Sequence, residues 1–136
     1  MPSADERLRH HELCFGCGQA NIFGLQLELQ PREGGGVAGR FFVKQDHQGP
    51  LGYAHGGVIA TALDEAMALL LHGRGMRTMT ARLEVDLLAV APVGEFVEVD
   101  AVLASEDERT LELTASARAA GSEVARARGV FVRVDG

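Results

Sequence analysis

The chain has 136 residues, a net charge of −6 at pH 7, 46% hydrophobic and 24% charged residues, two Cys, one Tyr and no Trp. These totals describe an ordinary globular chain with enough length for a core, and they argue against a nucleic-acid binder, an anionic-membrane binder or an aromatic base-stacking platform. No apolar run reaches the ~18 residues of a membrane span, the stretch MPSADERLRHHEL lacks the apolar centre of a secretory signal, and two Cys without such a signal fit a reducing cytoplasm.

Taken in order, residues 1–20 read as a short extension to one domain covering 1–136. It carries His10, His11, Cys14 and Cys17. A closed structural metal site needs four ligands, commonly two well-spaced pairs. This cluster is compressed and has no second Cys-x-x-Cys, so the expectation is a turn with packed thiols and no metal. Short strands are expected at 25–30 and 37–44, joined by a hairpin turn over PREGGG, 31–36. A Gly-rich loop, 45–54, leads into a helix over about 55–72. His47 and His72 read as surface or loop residues. In TARLEVDL, 80–87, apolar Ala81, Leu83, Val85 and Leu87 alternate with polar residues, the period of a half-buried strand. Further strands are expected at 95–104, 110–119 and 123–134, giving a four-strand meander after the helix.

Strands on both sides of one dominant helix imply an α+β fold, with an antiparallel sheet packed on that helix. Of the fourteen residues Val58 to Leu71, eleven are apolar, which exceeds the stripe of a surface helix. A sheet curling around the helix accounts for this, and its exposed edges favour pairing with a second copy. At ~100° per residue from Gly57, Thr61 falls at about +40°, Asp64 at about −20° and Ala68 at about +20°. Val58, Ile59, Ala62, Leu63, Ala66, Leu69 and Leu70 collect on the opposite, core side, while Glu65 sits at about 80°, a flank expected to meet solvent or a neighbouring subunit. Asp64 thus lies two turns along a strip of small residues from a helix start that carries Gly56 and Gly57. The first N–H groups of a helix lack internal acceptors and carry partial positive charge, and glycines let an oxygen approach them. Donors for a developing oxyanion together with a carboxylate base suit hydrolysis of an activated acyl group.

The segment HGGVIATALDEAM, 55–67, resembles the helix motif of the hotdog-fold acyl-CoA thioesterases, particularly the phenylacetate-pathway (PaaI-like) branch, in which an Asp follows the motif His by nine residues, as Asp64 follows His55. CFGCGQANIFGLQL, 14–27, is similar to the amino-terminal signature of one subset, and the strand from TARLEV to APVG, 91–94, also fits; the likeness spans 14–134. The resemblance implies the hotdog fold, a curved antiparallel sheet wrapped around one central helix, with active sites at the interface of a homodimer or homotetramer. It implies an acyl-CoA substrate and no cofactor beyond the coenzyme A that substrate carries. The Gly57 N–H would polarise the thioester carbonyl, His55 would shape the loop, Asp64 from the neighbouring subunit would be general base or nucleophile, and Thr80 would orient water or the acid. Gly56 and Thr61 would line the substrate. Many relatives carry an Asn six residues before the motif His; here Gly49 stands there, and the amide of Gln48 is the candidate replacement.

Two other readings compete with hydrolysis. A hotdog dehydratase would need a Glu where Ala62 stands, and His47 is followed by Gln-Gly rather than the loop of those enzymes. A non-catalytic acyl-CoA sensor would keep the pocket without the chemistry, against which an intact Asp64 weighs. Arg77, Arg82, Arg126 and Arg128 suit either coenzyme A phosphates or solvated strand faces.

Overall fold

The computed structural model describes residues 7–134; residues 1–6, part of the expected extension, and 135–136 lie outside the described residues. In chain order the elements are β1 (Glu28–Pro31), β2 (Val37–Phe42), a 3-10 turn (Gln45–His47), α1 (Gly56–Gly73), β3 (Thr78–Leu87), β4 (Phe96–Glu106), β5 (Thr110–Ala119) and β6 (Ser122–Arg133). The strands form one six-stranded sheet in the order β1-β2-β4-β5-β6-β3, antiparallel throughout. Irregularities at Thr80/Arg82, Leu103/Ser105 and Ala117/Arg118 bend the strands, and the curved sheet wraps α1. The architecture is the hotdog fold.

Packing rather than propensity makes the helix. Its two leading glycines cost about 1 kcal/mol each relative to Ala, while each fully buried Leu contributes about 1.5–3 kcal/mol. Leu63, Leu69 and Leu71 are fully buried, as are Ala62, Ala66 and Met67. Beneath them the sheet presents buried alanines: Ala101 on β4, Ala115 and Ala117 on β5, Ala125 and Ala127 on β6. Bulk on the helix and small side chains on the sheet let the curved surface close on a straight cylinder. At Gly129 on β6 an added Cβ would lie 2.8 Å from Phe131 Cε1 and 2.9 Å from Met67 Cε, so the helix also approaches closely there.

Two expectations about connectivity change. The strand expected from residue 25 begins at Glu28 because Gln26 adopts a left-handed φ of 52°. Leu25 and Leu27 instead donate their N–H groups to Phe15 and Gly16. The expected four-strand meander is a three-strand meander, β4-β5-β6, because β3 pairs with β6 at the far edge rather than with β4. Apolar alternation reveals which face of a strand is buried, not which strand lies beside it. The α1 crossover carries the chain past the sheet, and the 88–95 connection returns beside the loop that leads into α1, with Ala54 N–H donating to Ala91 O and Val93 N–H to Gly52 O.

Asp107 closes the β4–β5 turn, accepting from the N–H groups of Thr110 and Arg109 and from the Thr110 hydroxyl. These bonds, the Thr110 N–H first, hold its carboxyl below the usual range. A carboxyl whose folded pKa is depressed stabilises the fold above its unfolded pKa of about 3.9, and that contribution is lost as pH falls through the folded value. Asp107→Ala is therefore expected to lower the melting temperature at neutral pH, with the gap narrowing in strong acid. Thermal unfolding followed by circular dichroism at both pH values checks this; a gap that stays constant contradicts it.

Candidate functional site

The loop before α1 is built around two histidines. His47 is 1% exposed; it belongs to a loop as expected but not to the surface. Its Nδ1 accepts from Lys44 N–H and its Nε2–H donates to Gly24 O, while its own carbonyl accepts from His55 N–H. His55 is the N-cap of α1, its Nδ1 accepting from Gly57 N–H at 2.8 Å. Gly49 lies against it: an added Cβ would sit 2.9 Å from His55 Cα, so an Asn there would force the loop open. The Gln48 amide donates to Gln45 O and accepts from Gly52 N–H. Both of its ends are engaged within the loop.

The expected donor to a substrate carbonyl, Gly57 N–H, is thus occupied by its own cap. The Gly56 N–H has no acceptor among the described residues. An added Cβ at Gly56 would meet Leu87 Cδ1 at 2.8 Å, so a larger residue would make the Leu87 side chain turn aside where β3 passes the helix start. Among the described residues the helix-start N–H without a partner is that of Gly56, the residue before the Gly57 that the resemblance implied.

Further along the strip, Thr80 Oγ1 donates to Asp64 Oδ1 at 2.8 Å, joining the helix acid to the first residues of β3. Burial raises the Asp64 carboxyl above its ordinary value, opposed by the Thr80 hydrogen bond. Thr61 Oγ1 donates back to Gly57 O, so its hydroxyl is bound to its own helix. The strip is open only over its first turns, because Leu71, at about −40° on the wheel, is fully buried. It runs beside the sheet margin. β3 is the last strand, and its apolar side chains stay uncovered, Met79 at 63% and Leu87 at 56% exposed. The half-buried strand expected at 80–87 is, within one chain, mostly exposed.

Glu65 departs from expectation. It is 9% exposed and faces the amino-terminal segment, where His10 Nδ1 lies 3.2 Å and Cys14 Sγ 3.1 Å from its Oε2. Burial by itself would raise this carboxyl, but hydrogen bonds from His10, Cys17 and Cys14 reverse that and hold it below the usual range. The Glu65 bond in turn raises His10 to about 9, and burial pushes the Cys17 thiol up. The wheel hinted at this, since about 80° lies between the strip and the core; the identity of the partners was not in the local pattern. His11 takes no part and accepts from Leu13 N–H. Ala62, the dehydratase position, is fully buried among apolar side chains.

Three of the four candidate coenzyme A arginines lie on the outer sheet face, away from the strip. Arg82 pairs with Glu84, Arg126 with Asp86 and Arg128 with Glu112, exposed pairs of the kind worth about 0–1 kcal/mol. A groove of ≈ 880 Å³ on that outer sheet face, lined by Arg32, Asp100, Ser116 and Arg126 among others, contains neither Asp64 nor Gly56. An unpaired donor, an acid and apolar surface along one margin, not volume, single out the α1–β3 edge.

A family model described as the thioesterase superfamily matches residues 51–129. The solved structure of protein RHA08564, a thioesterase superfamily protein, is 29% identical, with 85% of this chain and 60% of that one covered and a TM-score of 0.78. This chain therefore spans about 60% of the length of that relative. A variant of the phenylacetic acid degradation protein PaaI from Thermus thermophilus is 27% identical, covering 81% of this chain and 95% of that one, with a TM-score of 0.73. A hypothetical thioesterase from Streptococcus pneumoniae, solved with coenzyme A, shares the fold at 17% identity, 79% and 85% coverage and a TM-score of 0.74. No match was found among curated proteins.

The cap at the helix start is open to a direct check. Removing a side-chain N-cap typically costs ~1 kcal/mol. His55→Ala is expected to lose about that much in urea unfolding, while His55→Asn, which restores a capping acceptor, stays within about 0.5 kcal/mol of wild type. Equal losses in the two variants would mean that His55 acts through loop packing rather than through its bond to Gly57.

Proposed function

The chain belongs to the thioesterase superfamily, and from that premise we propose that it hydrolyses acyl thioesters, acyl-CoA foremost, to the free acid and thiol. The observation that carries this reading is the half-buried Asp64, held by Thr80 on the strip that leads from the bare Gly56 N–H. In the proposed step, Asp64 takes a proton from a water that attacks the thioester carbonyl, or attacks that carbon itself. The carbonyl oxygen gathers negative charge against the helix-start N–H, and collapse of the intermediate expels the thiolate, which takes the proton that Asp64 had drawn from water. Where Asp64 itself attacks, the thiolate leaves an acyl anhydride on Asp64; water hydrolyses it to the free acid, and the proton released goes to the thiolate. Thr80 keeps the carboxylate turned to the strip, and His55 holds the turn that bares the donor. No cofactor enters this scheme. The coenzyme A in the Streptococcus pneumoniae relative supports coenzyme A as the thiol part of the substrate, and two free cysteines support a cytoplasmic location.

Geometry argues for a dimer. A reacting carbonyl must lie roughly 3 Å from both the donor and the attacking or proton-accepting group. Gly56 and Asp64 are eight residues apart on one helix, about 12 Å at 1.5 Å per residue. One chain therefore does not bring them onto one carbonyl. Two helices running antiparallel across a two-fold axis would set Gly56 of one copy opposite Asp64 of the other. The uncovered β3 margin supplies the unpaired strand edge and apolar surface that such a homodimer, alone or within a homotetramer, would cover.

Release of free thiol from short, long and aromatic acyl-CoAs tests the activity. Asp64→Asn keeps an acceptor for Thr80, so it is expected to stay folded and oligomeric while turnover falls ~100-fold or more. No turnover by wild type on any thioester, with acyl-CoA binding retained, would replace hydrolysis with a binding role. The shared site has its own check: Leu83→Lys on the β3 margin is expected to give a folded monomer by light scattering with activity lost. A fully active monomer would sink the two-subunit arrangement.

A further inference from the structure

The cluster that Glu65 enters has no part in that chemistry. We propose that His10, Cys14, Cys17 and Glu65 form a closed four-ligand site for a divalent transition-metal ion, zinc by its donor set, which ties the amino-terminal segment to α1. Their ligand atoms all lie within 4.8 Å of one another. Tetrahedral zinc, with Zn–S of about 2.3 Å and Zn–N and Zn–O of about 2.0–2.2 Å, sets S···N and S···O edges of about 3.6 Å and an N···O edge of about 3.4 Å. Of the six edges, four are 3.7 Å from His10 Nδ1 to each of Cys14 Sγ and Cys17 Sγ, 3.1 Å from Cys14 Sγ to Glu65 Oε2, and 3.2 Å from His10 Nδ1 to Glu65 Oε2; the two from Cys17 Sγ to Cys14 Sγ and to the Glu65 carboxylate lie within 4.8 Å. Shifts of about half an ångström bring the four shorter edges to tetrahedral values, and the two Cys17 edges close from at most 4.8 Å.

The simpler reading is a His10–Glu65 ion pair with two thiols packed beside it. It accounts for the nitrogen–oxygen contact and for the Cys14 thiol on the carboxylate, but not for both sulfurs lying 3.7 Å from the same imidazole nitrogen. The backbone is arranged for the same purpose. His10 N–H donates to Cys17 Sγ at 3.1 Å, the kind of outer bond that orients a ligating sulfur. The turn carrying both cysteines is closed by Gly18 N–H on Cys14 O and tied down by Leu25 N–H on Phe15 O and Leu27 N–H on Gly16 O. Gly16, between the cysteines, presses on the acid: an added Cβ would lie 2.6 Å from Glu65 Cδ. A side chain there would push the turn off the carboxylate.

Two thiolates, an imidazole and a carboxylate select a borderline-soft cation such as zinc over magnesium or calcium. Four protein ligands leave no open position, so the ion is structural. Binding displaces to solvent the two thiol protons and the proton that His10 Nδ1 presents to Glu65. Three ligands come from an eight-residue stretch and the fourth from the residue after Asp64, so the ion would fix the helix turn that carries Asp64 from the flank beside the strip. Its existence does not depend on the hydrolytic reading.

The test is metal uptake by the reduced, full-length chain. After loading with zinc and desalting, elemental analysis is expected to find one equivalent per chain. Loading with cobalt(II) is expected to give the visible bands of a tetrahedral ion and a sulfur-to-cobalt charge-transfer band. Zinc is also expected to raise the melting temperature and shield both thiols from alkylation until a chelator is added. Changing an outer-shell partner alone typically costs 10–100-fold in affinity, so Cys14→Ser and Glu65→Gln are each expected to weaken binding at least ~10-fold. Cys14 is only half-buried, so Cys14→Ser carries the test if the Glu65 variant fails to fold. The proposal is overturned by uptake below one-tenth of an equivalent, by an octahedral cobalt spectrum, or by affinity unchanged in folded Cys14→Ser.

Discussion

The central constraint is the covering of an 18-residue helix, apolar round more than half of its circumference, by a single sheet. A sheet offers one face, so it must curve, and it curves here over alanines that let the helix sink in. It also has to end. It ends at β3, alongside the one strip of α1 that carries small residues and an acid. The strip stays open because, among the described residues, no strand lies beyond β3, and the apolar side chains of β3 stay bare for the same reason. The site and the surface suited to a second copy are therefore one consequence of one packing problem.

Asp64 and Glu65 show how sharply that margin divides the helix. Neighbours on a helix point about 100° apart, so one carboxylate reaches β3 and the other turns under the amino-terminal segment. The deeper of the two, Glu65, has its carboxyl lowered, and the shallower, Asp64, has its carboxyl raised. Depth does not decide the sign. Asp64 receives one hydroxyl bond against its desolvation, whereas Glu65 receives three partners, His10, Cys17 and Cys14. A buried carboxylate is stable when its lone pairs are met, and the amino-terminal turn meets those of Glu65.

Much of this was legible in the order of residues. The 3.6-residue period of 55–72 against the two-residue period of the strands yields α1 and five strands nearly to their observed ends, and the glycines of PREGGG mark the β1–β2 turn, where Gly34, Gly35 and Gly36 all take positive φ. The phase of Asp64 relative to the glycines also follows from helix geometry alone. Gly56 is harder: whether its N–H or that of Gly57 is bare depends on the direction of the His55 ring, which buried His47 and Gly49 set from a loop whose conformation no period encodes.

What the sequence by itself determined is local: which segments are helix or strand, which face of each is apolar, and that an acid lies on the small-residue strip. Such facts follow from repeat distances of a few residues along one chain. What only the tertiary structure decided is which distant residues meet. β3 lies beside β6 rather than β4, Thr80 reaches Asp64, and Glu65 closes a cluster with His10, Cys14 and Cys17 from the other end of the chain. The reason is physical. Periodicity specifies a direction outward from each element, but the partner in that direction is set by sheet order and by how the amino-terminal segment folds back over the helix, both of which emerge only when the whole core is assembled.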